Sequence, residues 1–367
     1  MLLVITGDRP VIHGRKRRTR TLELLSRFAH ANRVQMVVVT PYDIAYRHGI
    51  PVTADGWQLD VLTSDWKRIK ANIDRPVWID FMYLQDLKRH RLAYRRLKTA
   101  ITRSGQPCSN PSFPGKDHVY RRLAKKSLKP ACIPETQTAE SVNDILQTLN
   151  KKSVVWLKPT RGSGGRNIVR IAVMKNGLIL LQSDFYHGKQ LHQTVKHAHL
   201  VRFLRSMLAN KAYMIQEEVD LPRTKDGRRI DVRVTVQRDD GGQWCVTATT
   251  IRRSAAGALV TNFHGGGTFT SMASPNVDAL LSGAGITRPD IKRAELAAIR
   301  VAKALQSDNP TLAFLGIDVA PGPSCCYVYD CNTKPGRDIL TDAEVRLMMQ
   351  RLAGFAAFIQ RTRYPNS

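Results

Sequence analysis

The sequence predicts a mixed α/β protein, with an α/β region first and an α+β region after it. Three observations indicate this. Short apolar segments alternate with helical periodicity over the first hundred or so residues, a glycine-rich loop later joins two strand-like segments, and the remainder combines hairpin patterns with amphipathic helices. A chain of 367 residues is also long enough for two or three compact domains.

The first region has the alternation of strand and helix that builds a parallel sheet. Its strand-like segments are residues 2–6, 34–39, 57–62 and 76–81. A helix lies between the first two, and a strongly basic helix is predicted over residues 84–102. We therefore expect a Rossmann-like open sheet. The G-x-G-x-x-G fingerprint of dinucleotide binding does not follow the first strand, so that function is not indicated.

The middle of the chain begins after a segment rich in proline and glycine at residues 107–115. The predicted helices here cover residues 118–128, 139–150 and 191–208. Between them, a strand at 153–159 runs into the glycine-rich residues 161–166, and a second strand follows at 168–174. This pattern predicts a hairpin with a mobile tip.

The last part of the chain mixes strands and helices. Its predicted elements are a strand at 213–219, a hairpin formed by 229–237 and 244–251, a helix at 290–305, strands at 314–319 and 326–331, and a closing amphipathic helix.

The charge balance points to anionic partners. The chain has 57 Lys and Arg against 30 Asp and Glu, which gives a formal net charge of +27. A surface that positive attracts anions, but the total alone leaves nucleic acid, acidic peptide, cell-wall polymer and nucleotide phosphate all open. The ordinary hydrophobic fraction of 43% excludes a disordered or fibrous chain.

The cysteines and the apolar segments predict a cytoplasmic protein with no membrane partner. The six cysteines form no CxxC pair and no zinc-finger spacing, so we expect reduced thiols rather than disulfides or a structural metal. No apolar segment approaches the ~20 residues that cross a bilayer. The opening residues read as a first strand rather than as a signal peptide.

Two groups of residues have the chemistry of a nucleotide and metal site. Lys158 ends a buried strand just before a glycine-rich loop, so its ammonium and the loop amides could bind the same phosphates. Asp318 ends one strand, and Asp330 and Asn332 lie two apart on the next, so three oxygen donors could hold Mg2+. Asp231 and Arg233 show the same alternation. No Walker A motif is present, so a P-loop NTPase is excluded.

These residues occur in an order that resembles the ATP-grasp superfamily. The likeness covers roughly residues 110–345 and is closest to the spore-coat-associated YheC/YheD group; the glutathione-synthetase and ribosomal-protein glutamate-ligase types are more distant. The motifs that carry it are Lys116, Val155-Trp-Leu-Lys-Pro-Thr-Arg-Gly-Ser-Gly-Gly165, Ile215-Gln-Glu-Glu-Val219, Asp231-Val-Arg233, Arg252, Asn262-Phe-His-Gly-Gly-Gly267, Gly316-Ile-Asp318 and Tyr329-Asp-Cys-Asn-Thr-Lys-Pro-Gly336.

The resemblance implies an architecture of three parts. A Rossmann-like pre-ATP-grasp substrate domain would span 1–110. A central ATP-grasp lobe with a glycine lid would span 111–211, and a C-terminal lobe with the metal site would span 212–367.

The resemblance also implies a role for each motif. Lys116 and Lys158 would bind the phosphates of ATP, Glu217 and Glu218 would form the adenine hinge, and Asp231 would bind the ribose. The full nucleotide set is Lys116, Lys158, Gly162, Ser163, Gly164, Gly165, Gln216, Glu217, Glu218, Val219 and Asp231. The Mg2+ (or Mn2+) ligands would be Asp318, Asp330 and Asn332. The catalytic residues around the transferring phosphoryl group and the carboxylate would be Arg233, Arg252 and Asn262.

The function implied is an ATP- and Mg2+-dependent carboxylate–amine ligase that forms ADP and phosphate through an acyl phosphate. The concentration of positive charge in the first region suggests an acidic or polyanionic substrate. Two alternatives stay open. One is a structural coat protein without the chemistry, because Asp330 stands where the family usually has the longer Glu; the other is an ATP-grasp kinase. Specific nucleic-acid binding ranks last, because no recognition motif accompanies the charge.

Overall fold

The part of the chain that the structure describes contains three six-stranded sheets and a short two-stranded one. The structure is a computed structural model that describes residues 1–12, 15–16, 19–109, 115–162, 164–261 and 266–365. Within these residues, no helix is long and apolar enough to cross a membrane.

The first sheet lies in the N-terminal part of the chain. Its elements, in chain order with those beside it, are β1 (Leu2–Ile5), β2 (Val11–Ile12), β3 (Arg15–Lys16), α1 (Arg20–Ala31), β4 (Met36–Val39), β5 (Ile44–Arg47), β6 (Ile50–Leu59), β7 (Trp66–Asn72), β8 (Val77–Asp80) and α2 (Leu84–Arg103). Strand β1 is parallel to both β4 and β8, and β5 to β7 extend the sheet in antiparallel pairings. The parallel strands at the centre agree with the predicted alternation of strands and helices. The antiparallel strands β5 to β7 form an extension of the sheet that this alternation does not predict.

The second sheet is built from the middle of the chain. The elements here are α3 (Lys116–Ala124), β9 (Ala131–Cys132), β10 (Thr136–Ala139), α4 (Val142–Lys152), β11 (Val154–Pro159), β12 (Val169–Val173), β13 (Ile179–Tyr186), β14 (Lys189–Val195), α5 (His197–Asn210) and β15 (Tyr213–Glu217). The strand order is β10-β15-β11-β12-β13-β14, with antiparallel neighbours. Helices α4 and α5 cover one face of this sheet and share its core.

The helix predicted over residues 191–208 is wrong in its first turn and a half. Residues 189–195 form β14, which pairs with β13, and the helix begins only at His197. The reason is the turn between the two strands: His187 and Gly188 both have positive φ, which is the geometry of a tight hairpin. Because His-Gly is not among the usual turn pairs, the sequence pattern did not indicate it.

The third sheet and the closing helix complete the fold. Their elements are β16 (Ile230–Arg238), β17 (Trp244–Arg253), β18 (Thr268–Ser271), α6 (Val277–Gly283), α7 (Arg288–Gln306), β19 (Phe314–Ala320), β20 (Cys326–Asn332) and α8 (Asp342–Arg363). The strand order is β18-β17-β16-β19-β20-β9. Helix α7 packs on one face of this sheet. Helix α8 returns to the first sheet, where its Met349 and Phe355 share a core with Leu2 and Val4.

The expectation of reduced cysteines throughout is wrong for one pair. The structure joins Cys132 and Cys325 in a disulfide, with Cα atoms 5.9 Å apart. The partners are 193 residues apart in the chain. They meet because β9 pairs in parallel with β20, a long-range contact that spacing along the sequence does not reveal.

Candidate functional site

Three neighbouring strands of the third sheet place charged side chains in one row. On β16, Val232 and Val234 belong to the core, so Arg233 points to the opposite face. Arg233 lies directly across from Asp318 on β19, and Asp318 lies across from Asp330 on β20. The cross-strand register therefore brings Arg233, Asp318 and Asp330 side by side on the face away from α7. All three belong to the predicted metal and catalytic residues.

Arg233 of this row and Arg252 on the neighbouring strand β17 bind carboxylates that are almost fully buried. Arg233 makes a bidentate ion pair with Asp318 through Nε and Nη2. Arg252, on β17, donates from Nε and Nη2 to Asp231 at 2.7 and 2.5 Å, and its Nη2 also lies 2.9 Å from Oδ2 of Asp318. Burial alone would lower the pKa of Arg252, but Asp231 and Asp318 raise it well above its usual value. The Arg252 guanidinium is therefore fixed in place and charged, and Arg233 is held by its two bonds to Asp318.

The lysine from the second sheet reaches this row. Val155 and Leu157 of β11 are in the core, so Lys158 projects from the other face, where its Nζ donates to Oε1 of Gln216 at 2.5 Å. The same ammonium lies 5.3 Å from the ring centroid of Tyr329 on β20. The structure thus brings Lys158 beside the Asp318 row, although 160 residues separate them in the sequence; this junction of the second and third sheets is called the cleft below.

Lys116 and Asp330 form an ion pair beside Lys158. Lys116 is the first residue of α3, and its Nζ lies 2.7 Å from Oδ1 of Asp330. Burial opposes ionisation of Asp330, but Lys116, with help from Lys158 and Arg233, lowers the pKa of Asp330 to about 2. Burial lowers the pKa of Lys158 to about 8, and Lys116 acts in the same direction.

The residues expected to bind adenine and ribose are engaged with protein groups. Glu218 makes two hydrogen bonds with Arg170, at 2.7 and 3.0 Å. Glu217 accepts from the backbone N–H of Glu135 at 2.8 Å and pairs with Lys152. Their side chains thus tie the end of β15 to neighbouring segments. Val219, next to them, is half-buried.

Asp231 is fully buried, with an exposed fraction of 0%. Its carboxylate accepts hydrogen bonds from Arg252, from the hydroxyl of Thr261 and from the hydroxyl of Tyr329. A carboxylate with these partners orients Arg252, and the ribose role that the resemblance implies for Asp231 stays a prediction. Sequence reasoning missed Tyr329, Thr261 and Arg170, because nothing local marks their partners.

The glycine-rich loop joins β11 and β12, as predicted. Gly164 and Gly165 have φ values of 71° and 69°, a left-handed backbone that favours glycine. A Cβ atom at Gly162 would meet no heavy atom within 4 Å, so this part of the loop borders open space. Two predicted site residues, Ser163 and Asn262, lie outside the described residues.

The predicted metal ligands have the chemistry that Mg2+ prefers. Asp318 and Asp330 lie opposite each other on the adjacent strands β19 and β20. The side-chain amide nitrogen of Asn332 lies 3.1 Å from Oδ2 of Asp330. In the part of the chain that the structure describes, no three His, Cys, Asp or Glu residues form a group that could hold a metal ion. Two carboxylates and an amide are hard oxygen ligands and fit a magnesium ion.

Known proteins share this sequence pattern. The model of the YheC/D-like ATP-grasp family matches residues 105–359. The chain is 23% identical over 241 residues to the endospore coat-associated protein YheD of Bacillus subtilis (strain 168), which covers 64% of this chain and 51% of the relative. It is 25% identical over 157 residues to YheC of the same organism, which covers 42% of each. The chain thus spans about half the length, or less, of these curated relatives.

Among solved structures, the fold is similar to that of the D-cycloserine synthetase DcsG. The TM-score is 0.51, the identity is 12%, and the alignment covers 96% of this chain and 99% of the other. At this identity the likeness concerns the fold alone. It extends across all three sheets, because the alignment covers nearly the whole chain.

Proposed function

Because the chain belongs to the YheC/D-like ATP-grasp family, we propose that it is an ATP-dependent ligase that joins a carboxylate to an amine and releases ADP and phosphate. The observation that carries this proposal is the meeting of two sheets at one cleft. Lys158 comes from the second sheet, while Arg233, Asp318 and Asp330 form a row on the third. A triphosphate needs cations, and its metal needs hard oxygen ligands; this cleft contains both.

Lys158 is the best-placed group for the phosphates of ATP. Within the described residues it makes a hydrogen bond to the neutral Gln216 amide and no ion pair with a carboxylate. Its charge is therefore available to an incoming anion. Lys116 and the amides of the glycine-rich loop would complete the phosphate site, with Gln216 and the end of β15 beside the base.

Asp318, Asp330 and Asn332 would hold Mg2+. When bound there, the ion supplies positive charge that neutralises the phosphate oxygens. Arg233 and Lys116 now pair with these two carboxylates. If the two carboxylates held the ion, Arg233 and Lys116 would become available to pair with the phosphates.

The proposed reaction has two steps. A carboxylate oxygen of the substrate attacks the γ-phosphorus, the bond from that phosphorus to the ADP oxygen breaks, and an acyl phosphate forms. The amine then attacks the acyl carbon, the bond to the phosphate oxygen breaks, and the amine loses a proton to solvent. Arg233 and Arg252 stabilise the negative charge, while the loop around Gly164 excludes water.

The pKa of Lys158 predicts how nucleotide binding depends on pH. The free protein loses this charge as pH rises through about 8, whereas a bound phosphate raises the pKa. We expect the affinity for AMP-PNP with Mg2+ to be constant below pH 7 and to fall towards tenfold per pH unit above pH 8. Titration calorimetry at pH 7, 8 and 9 measures this, and Lys158→Arg, which stays charged, should flatten the profile. An equally steep profile for the arginine variant would assign the effect to another group.

The substrate class follows from exposed cations on the first region. Lys88, Arg91 and Arg95 of α2 are exposed, and within the described residues they make no ion pair. Their charge supports an acidic substrate, such as a peptide rich in Asp or Glu. The amino-acid and peptide pool used to test activity should therefore contain such peptides.

The experiment that tests the function combines the protein with ATP, Mg2+ and this pool. The ligase should release ADP and phosphate only when a carboxylate and an amine are both present, and mass spectrometry should detect the joined product. Release of AMP, or turnover that ignores the pool, contradicts the proposal. ADP release with a phosphorylated product and no free phosphate would identify a kinase.

A second candidate is a coat-type assembly protein without the chemistry. It is favoured by the description of the relatives as endospore coat-associated and by the shorter Asp330. This candidate predicts that ATP with Mg2+ leaves the melting temperature unchanged. The ligase instead gains stability from binding, by about 2.7 kcal/mol at a hundred times the dissociation constant.

A further inference from the structure

Strand β20 contains a bulge at the site. Asp330 pairs with Asp318, but the next pair along is Val328 with Val319, so Tyr329 is an extra residue with no partner on β19. A bulge of this kind changes which side chains face which side of a sheet. The bulge lies between the core residue Val328 and the proposed metal ligand Asp330.

The bulge turns the metal ligands towards the cleft. Cys326 and Val328 point into the core, so simple alternation would put Asp330 and Asn332 there too. Instead Cys331 packs against the core, and Asp330 faces Lys116. Tyr329 is the residue at which the alternation is reset, and its side chain also lies on the cleft side.

Tyr329 contacts groups from both lobes of the cleft. Its hydroxyl donates a hydrogen bond to Oδ2 of Asp231, the carboxylate that holds Arg252. Its ring lies 5.3 Å below the ammonium of Lys158, which comes from the second sheet. A cation over the face of an aromatic ring is attracted by the ring electrons.

We propose that Tyr329 is a positioning residue that aligns the phosphate-binding Lys158 with Arg252 across the cleft. This inference rests on the proposed function. The ring supports the lysine that binds ATP, and the hydroxyl supports, through Asp231, the arginine that stabilises the transferring group. The ring and the hydroxyl of Tyr329 therefore serve different steps, so mutations can test their roles separately.

Two substitutions separate the halves. Tyr329→Phe keeps the ring and removes the hydroxyl, so AMP-PNP with Mg2+ should bind within twofold of wild type, while ADP release with the amino-acid and peptide pool at saturating ATP should fall at least tenfold. Tyr329→Leu removes both, so nucleotide affinity should also fall, by at least fivefold. Thr261→Val, which removes another donor to Asp231, should reproduce the Phe variant.

The matched control is Tyr327→Phe. Tyr327 lies two residues earlier on the same strand and is 37% exposed, so both measurements should match wild type. Turnover of Tyr329→Phe within threefold of wild type overturns the inference, and so does an equal loss of affinity in the Phe and Leu variants. If wild type itself does not bind AMP-PNP, the proposed function fails. If wild type binds and turns over but the Phe variant does so equally, only this inference fails.

Discussion

Replacing Lys158 with alanine is expected to weaken the binding of AMP-PNP with Mg2+ by about ten- to a hundredfold. The ammonium lies in the cleft with a neutral amide and an aromatic ring as neighbours. Among the described residues it forms no ion pair with a carboxylate. A hydrogen bond between charged groups contributes about 1.5–3 kcal/mol, and 1.4 kcal/mol is a factor of ten in affinity. Calorimetry at pH 7, where Lys158 is charged, measures the loss directly.

The fold should survive this substitution. Burial makes the Lys158 charge costly to keep, as its lowered pKa shows, so removing the charge should leave the melting temperature unchanged or higher. Lys175→Ala is the matched control, because Lys175 is an exposed lysine of the same sheet, in the turn between β12 and β13. Its nucleotide affinity should stay within twofold of wild type. A Lys158→Ala variant that binds within threefold of wild type would remove Lys158 from the phosphate site.

Local sequence patterns predicted most of the individual elements. The glycine-rich loop between two strands was predicted because an apolar segment on each side and four glycines or serines between them define a hairpin. The alternation of Asp330 and Asn332 predicted that both would share a face, and the structure confirms that they lie together. These features depend on neighbours in the sequence, so the sequence contains the information.

The partners across strands could not be predicted in this way. Arg233 and Asp318 are 85 residues apart, and Tyr329 and Asp231 are 98 apart. Their contacts depend on the pairing register of β16, β19 and β20, which is fixed by the core packing of all three strands. The bulge at Tyr329 is equally invisible locally, because it is defined only relative to the neighbouring strand. This is why the contact of Asp231 with Arg252 was not predicted.

Replacing Asp330 with asparagine is expected to lower Mg2+-dependent ADP release at least a thousandfold. With a pKa of about 2, Asp330 is ionised at every working pH and would provide one of the two charged ligands of the proposed metal site. The substitution also leaves Lys116 without its carboxylate. More positive charge then remains beside the phosphates, so AMP-PNP without Mg2+ should bind as tightly as to wild type or more tightly, while the gain in affinity from added Mg2+ disappears.

These opposite effects distinguish a lost metal ligand from a damaged fold, because misfolding would weaken both forms of binding. Asp330→Glu restores the longer acid usual in the family and should recover at least a tenth of wild-type turnover, with a changed Mg2+ requirement. Asp278→Asn is the control: Asp278 is paired with Arg288 on the protein surface, far along the chain from the strands of the cleft, and should change neither measurement. If Asp330→Asn kept its Mg2+-dependent turnover, the row of Asp318, Asp330 and Asn332 would not be the metal site, and the positive charge of the cleft would have to bind the triphosphate alone.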